Sequence, residues 1–328
     1  MTAADVPLLM IAFNRPGKTG RVLEAVRAHA PRRLWVAVDG PRADRPDDAE
    51  RCAATRRVFD GVDWPCEVRT LFRERNLGCR DGVGTAIDWF LSDVEAGLIL
   101  EDDCVPTPDF FPFCAELLER YRDIPEVMMV GGHNSLGSWN RAGASYLFSR
   151  TAPIWGWATW RRAWALYDPA LTRWADPQAR AVVRSRMPRT EFRITRQRFD
   201  SVYTRRRDTW DYGWAFALLV AGGYSVIPAR NLIANIGFDP EATHTTRPSP
   251  HEVDVPTHRL EFPLTHPVSV QPQDGFERAL FRHRFPPMRR LVAMLPPRSQ
   301  DRVRAAAGRL AAALPRPARQ GVPPPDPG

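Results

Sequence analysis

Three carboxylates in a row, Glu101-Asp102-Asp103, follow the apolar run Leu98-Ile99-Leu100. Side by side at the end of a buried strand they repel one another unless a cation lies among them. Hard divalent ions such as Mn2+ or Mg2+ take carboxylate oxygen and keep positions open for water and phosphate. Shared with a diphosphate, such an ion neutralises the charge that develops as the diphosphate departs. The bland alternative is a solvated acidic turn. Pro106 and Pro108 stiffen the turn, which favours a built site.

Other apolar runs also end in polar residues. Leu8 to Phe13 ends in Asn14-Arg15, and Leu34 to Val38 ends in Asp39-Gly40. Val68 to Phe72 is followed by Arg73, Arg75, Asn76 and Arg80. Two basic and two acidic clusters on one sheet edge suit a ligand with anionic phosphates, a hydroxylated ribose and a metal ion between them. Arg15 is a candidate for a phosphate or base contact, or a surface arginine. Asp39 is a candidate for hydrogen bonding a base or ribose, although Asp-Gly-Pro is also a turn signal. Residues 76–81 precede a helix whose first amides could hold an anion, or form only a capped loop.

Asp211 opens an apolar helix after Trp210. A helix N-terminus keeps a carboxylate ionised, which fits a base that takes a proton from a hydroxyl. Helix capping asks for the same residue type at the same place. His244, in the polar loop 237–245, is a candidate ligand for the metal or the diphosphate. Trp155 and Trp157, in the run Trp-Gly-Trp-Ala-Thr-Trp, offer flat apolar faces to an acceptor sugar or else belong to the core.

Alternating strand and helix signals must position these groups. Apolar runs predict strands at 8–13, buried on both faces, and at 34–38, 98–100 and 127–130, and Val68-Arg69-Thr70-Leu71-Phe72 reads as a further strand. Helices are expected from Pro16, over 47–58 and 82–92, and after Thr107-Pro108. The class is α/β: a mostly parallel central sheet flanked by helices. Its second half is Trp-rich, with an Arg-rich helical stretch at 177–207, an apolar helix at 211–220 and short strands at 225–228 and 232–234. The expected division is a domain over 1–275, with halves 1–132 and 133–245, and a basic tail over 276–328. From Pro240 onward the chain holds seventeen of its 32 prolines. A basic helix at 299–314 and disorder at 315–328 are expected.

The chain has 328 residues and a net charge of +8. That excess is confined to 276–328, with eleven arginines against three acids, so 1–275 is neutral. One lysine stands among 46 basic residues. The bias reads as codon usage, and nucleic acid is not expected as a partner. The tail is a candidate for peripheral contact with an anionic membrane. Five cysteines without a C-x-x-C pair read as reduced thiols, and no apolar run is long enough to span a bilayer. A cytoplasmic protein is expected, with the inner membrane face as the surface its tail would touch.

The segment Leu98 to Phe111, with Glu-Asp-Asp and Pro-Asp-Phe-Phe, resembles the metal-motif region of the N-acetylglucosaminyltransferase I family. Supporting pieces are Leu9 to Arg15, Val36 to Gly40, Trp155 to Trp164 and Trp210-Asp211, in order over about residues 7–245. The chain is also similar to bacterial nucleotide-diphospho-sugar transferases. The resemblance implies a GT-A (Rossmann-like) fold and a Mn2+-dependent, inverting transfer from a nucleotide sugar, with a UDP-sugar as the expected donor. It implies Asp103 on the metal, with Asp102 and Glu101 holding the ribose and neighbouring groups. Asp39 would read the base beside Arg15, and Asp211 would be the catalytic base. His244 borrows its metal role from a C-terminal histidine of other GT-A enzymes. A glycan or a lipid-linked molecule is the expected acceptor.

Two rivals differ in class. A sugar nucleotidyltransferase also combines nucleotide, metal and sugar, but opens with a glycine-rich loop where this chain has Asn14-Arg15-Pro16-Gly17-Lys18. A non-enzymatic binder of anionic surfaces would act through the basic tail.

Overall fold

The computed structural model describes residues 2–139, 143–238 and 255–295. It holds an eight-stranded sheet in the order β3-β2-β1-β4-β8-β6-β9-β7. These strands are β1 (Leu8–Ala12), β2 (Arg33–Val38), β3 (Glu67–Phe72), β4 (Ala96–Glu101), β6 (Val127–Gly131), β7 (Tyr146–Ser149), β8 (Trp157–Trp160) and β9 (Tyr224–Pro228). A separate antiparallel pair joins β5 (Cys104–Pro106) to β10 (Ile233–Asn235).

β1 is parallel to β2 and β4, and β2 to β3; the second parallel set is β6 with β9. β8 runs antiparallel between β4 and β6, and β7 is antiparallel to β9. The architecture is therefore the mixed α/β, mostly parallel arrangement expected from the sequence.

Strand alternation sends side chains into two cores. Leu8, Met10, Leu34, Val36, Leu98 and Leu100 enter one face, while Leu9, Ile11, Trp35, Ala37 and Ile99 enter the other. Burial on both faces explains why these runs are continuous rather than alternating. The first core is covered by α1 (Pro16–His29), through Val22 and Val26, and by α4 (Phe110–Arg120), through Phe110, Phe113 and Leu117. α2 (Asp48–Val58) lies between β2 and β3 in sequence. α3 (Gly78–Asp93) covers the second core through Val83, Ile87 and Phe90.

α5 (Arg161–Trp164) follows β8 directly. The Arg-rich stretch is two helices, α6 (Pro177–Ser185) and α7 (Arg189–Tyr203), broken where Pro188 precedes α7. Both pack on α8 (Asp211–Val220) around Trp174, Phe199 and Phe216. α9 (Asp274–Arg284) buries Phe276 and Leu280 against Leu147 of β7 and Ile227 of β9. α9 thus forms part of the sheet's cover. The chain divides into units 1–284 and 285–328. Of the second unit, 285–295 is described and contains α10 (Pro287–Met294). The expected helix at 299–314 and the segment 315–328 lie outside the described residues.

Among the described residues no helix is long and apolar enough to cross a membrane. The five cysteines are free thiols.

Candidate functional site

β1, β2, β4 and β6 run in one direction, so their carboxyl ends share an edge of the sheet. Arg15, Asp39, Glu101–Asp103 and His133 all leave the sheet there. In open α/β sheets this is the edge where ligands bind.

Arg15 follows β1 and meets the acids that follow β4. Its Nε donates to Asp102 Oδ2 at 3.2 Å, a terminal nitrogen pairs with Asp102 Oδ1, and the other donates to Asp103 Oδ2 at 3.0 Å. Burial pulls the guanidinium pKa down, but the charges of Asp102 and Asp103 outweigh it and the net shift is upward. Arg15 is therefore the internal cation of the acid triplet. One guanidinium does not balance three carboxyls: burial, then the charges of Asp103 and Asp102, push Glu101 up to about 8.

The segment after β10 lies directly over the triplet. Ile236 N–H donates to the Asp103 carbonyl at 2.8 Å. A Cβ on Gly237 would collide with Asp103 Oδ2, so a side chain there would displace the Asp103 carboxylate.

Asp39 stands at the end of β2, where the sequence places it, but its oxygens are engaged. They accept from Gly40 N–H at 2.9 Å, Asn76 Nδ2 at 2.9 Å and Leu77 N–H at 3.0 Å. Burial raises its pKa and these donors oppose the rise. Asp39 and Asn76 thus fasten the 76–77 loop to the sheet. Arg75 is exposed, and Arg80 pairs with Asp81 at 2.8 Å. The amides at the start of α3 do hold an anion, and it is internal: Asp208 accepts from Cys79 N–H at 2.9 Å and Arg80 N–H at 3.2 Å.

Asp211 is the first residue of α8, with Thr209 Oγ1 donating to its Oδ1. The helix terminus does favour the ionised form, through the Tyr212 amide, but burial outweighs it. Burial raises its pKa, against the Thr209 bond, the Tyr212 amide and the charges of Arg198 and Arg207. Asp211 contributes to the rise at Glu101, which places both carboxyls in one electrostatic neighbourhood.

The two candidate tryptophans separate. Trp157 is on β8, fully buried and stacked on Trp210 with centroids 5.6 Å apart, so it is core and not a sugar platform. Trp155 remains half-buried at the edge, 4.6 Å from the His133 ring and 5.4 Å from Phe238. His133 is buried, its Nδ1 lacks a hydrogen-bond partner among the described residues, and burial holds its pKa down to about 3. Sequence reasoning missed His133, although it follows the run Val127–Gly131 and the strand-end rule applied to it equally. His244 lies outside the described residues.

Among the described residues no group of three or more His, Cys, Asp or Glu is arranged to hold a metal ion. Asp103 still presents hard oxygens, one to Arg15 and the other only to the Cys104 thiol at 3.5 Å. Mg2+-type ions are commonly held by one or two carboxylates, with water and substrate phosphate completing the shell. The donor chemistry fits that mode and does not supply a full protein cage.

Strand order and polar edge together define a Rossmann-like α/β protein, mostly parallel, with its polar residues gathered at the carboxyl edge of the sheet. Similar solved structures include a mannosyltransferase from Pyrobaculum calidifontis in complex with GDP-Man and Mn2+, at 14% identity and TM-score 0.36 over 66% of this chain and 69% of that one. Mouse xyloside xylosyltransferase 1 is similar at 11% identity and TM-score 0.32, over 66% and 81%. A cytidylyltransferase from Leptospira borgpetersenii is similar at 10% identity and TM-score 0.32, covering 49% of this chain and 62% of its own length. No protein-family model and no curated protein matches the sequence.

Proposed function

We propose that the protein transfers a sugar from a nucleoside-diphosphate sugar, expected to be a UDP-sugar, to an acceptor hydroxyl. The observation that carries this reading is the meeting of the Glu101–Asp103 triplet and Asp211 at one sheet edge, where Glu101 feels the charge of both Asp103 and Asp211. The resemblance of Leu98–Phe111 to the N-acetylglucosaminyltransferase I segment supports it.

In this reading Asp211 takes the acceptor's hydroxyl proton. The acceptor's oxygen then forms a bond to the anomeric carbon while the bond to the diphosphate breaks, and the diphosphate leaves with the electron pair. One displacement inverts the anomeric configuration. Burial moves Asp211 toward the pH at which a base accepts protons most effectively. Asp103 would hold the divalent ion, which when bound neutralises charge on the departing diphosphate. Asp102 fixes the Arg15 guanidinium at the same edge. Trp155 offers its accessible face to a sugar ring.

The test is incubation with UDP- and GDP-sugars plus Mn2+. Release of nucleoside diphosphate that is lost in Asp103→Ala is expected. Release of pyrophosphate from a nucleoside triphosphate and a sugar phosphate would make the protein a nucleotidyltransferase, and turnover of neither substrate set would overturn both.

A further inference from the structure

α3 and α8 meet across a side chain that belongs to neither. Tyr167 follows α5, and its ring stacks on Trp164 with centroids 4.2 Å apart and planes 17° from parallel. One edge of the ring faces Gly84 of α3, where a Cβ would lie 3.2 Å from Cε1 and 3.3 Å from the hydroxyl. The opposite edge faces Gly213 of α8, where a Cβ would lie 2.9 Å from Cε2. Glycine on both helices lets them close on the two edges of one ring. Even a methyl group at Gly213 would force the ring or the helix to shift.

The chain around Asp211 is attached to α3 a second time. Asp208 accepts from the Cys79 and Arg80 amides at the start of that helix, at 2.9 and 3.2 Å. Asp211 therefore lies in sequence between two anchors on α3, Asp208 before it and Gly213 after it. Its other flanks are aromatic: Trp210 stacks on Trp157, and Trp214 lies 5.2 Å from Trp164, the residue that carries Tyr167. The charges of Glu101 and Asp211 both reach Cys79, in the first turn of α3. The start of α3 is thus a neighbour of the acid triplet and of Asp211 alike, and the spacing of α8 from α3 sets where Asp211 stands at the sheet edge.

The Tyr167 hydroxyl is buried and has no hydrogen-bond partner among the described residues. Asp88 accepts from Trp164 Nε1 at 2.7 Å instead, and acts on Tyr167 through its charge. A buried hydroxyl left so fastens nothing. What the residue supplies here is the width of its ring.

We propose that Tyr167 is a positioning residue for the transfer: its ring is the spacer between α3 and α8 that aims Asp211 at the acceptor hydroxyl. This rests on the transfer reading above and names the side chain through which the base is placed.

Full-length protein with Mn2+ is assayed for nucleoside diphosphate released from UDP-glucose, UDP-N-acetylglucosamine and GDP-mannose, and titrated calorimetrically with UDP and GDP. Tyr167→Leu and Gly213→Ala are each expected to lower kcat by about 10²-fold, the scale of a small misplacement of a reacting group. Affinity for the nucleoside diphosphate should not change, a split that general loosening of the fold would not give. Tyr167→Phe keeps the ring and should retain the rate that Tyr167→Leu loses. Combined, Tyr167→Leu and Gly213→Ala should cost less than the product of their separate losses, because the shorter side chain makes room for the methyl group. Should Tyr167→Leu fail to fold, Gly213→Ala against Tyr167→Phe carries the same comparison. A kcat that survives both substitutions, losses that multiply in the pair, or an equal loss of nucleotide affinity would overturn the proposal. Failure of the transfer reading has a different signature, a wild type that releases no nucleoside diphosphate or an Asp211→Asn variant that releases it at the wild-type rate, and either result would take this proposal with it.

Discussion

Arg15 and Asp102 close on each other from the ends of two adjacent parallel strands, with Nε 3.2 Å from Oδ2 and a terminal nitrogen on Oδ1. Their side chains are 12% and 3% exposed, so this pair is shielded from water. Removing one partner of such a pair leaves a buried charge without compensation. Arg15→Gln should cost about 3–5 kcal/mol of stability, read as a lower denaturation midpoint in urea. An unchanged midpoint would show that Asp102 does not depend on Arg15.

Asp211→Asn keeps the side chain's shape and removes the proton acceptor. Sugar transfer should fall by about 10²–10⁴-fold. Donor affinity should hold, measured by equilibrium binding of the nucleotide. Loss of donor binding would remove the assignment of Asp211 as base.

The two tryptophans should respond oppositely. Trp157→Ala empties a core position between Trp210, Trp164 and Trp214 and should cost about 3–5 kcal/mol. Trp155→Ala should cost less in the same denaturation experiment and should raise the acceptor KM. Similar unfolding curves for both would contradict the split between core and edge.

His133 sets a pH dependence. Its folded pKa, about 3, lies below the ordinary 6.5 because the ring is buried. Between these values the unfolded chain binds the extra proton and the folded chain does not. Stability therefore rises with pH through that window and is lost as pH falls from 6.5 toward 3. The slope approaches about 1.4 kcal/mol per pH unit. Comparing urea midpoints of wild type and His133→Gln across this range isolates it: the variant should lack this part of the acid loss.

Much of this was legible because burial on both faces leaves no polar residue in a strand. Leu8 to Ala12, Leu34 to Val38 and Leu98 to Leu100 announce themselves, and the residues that end them mark the edge. The strand Trp157–Trp160 was hidden by its own composition, since Trp-Ala-Thr-Trp reads as readily as a surface for sugars. Partners distant in sequence were equally hidden. Asp39 is engaged by Asn76 and Leu77, and the α3 amides by Asp208, 129 positions beyond Cys79. Spacing shows that a carboxylate is available at a position, and only folding shows which donors have already claimed it. The burial that lifts Asp211 likewise depends on elements that no local pattern names.

β8 is the single seam between the two parallel sets, pairing Ala96–Ile99 on one side and Met129–Gly131 on the other. During vectorial synthesis the first four strands emerge before this short ribbon exists. Until it docks, β4 is an open border carrying Leu98 and Ile99 with unpaired amides, the kind of margin onto which a second nascent chain can zip. A translational pause or a truncation ahead of residue 157 would thus divert the protein toward aggregation, making those four residues the lock that ends its vulnerability on the ribosome.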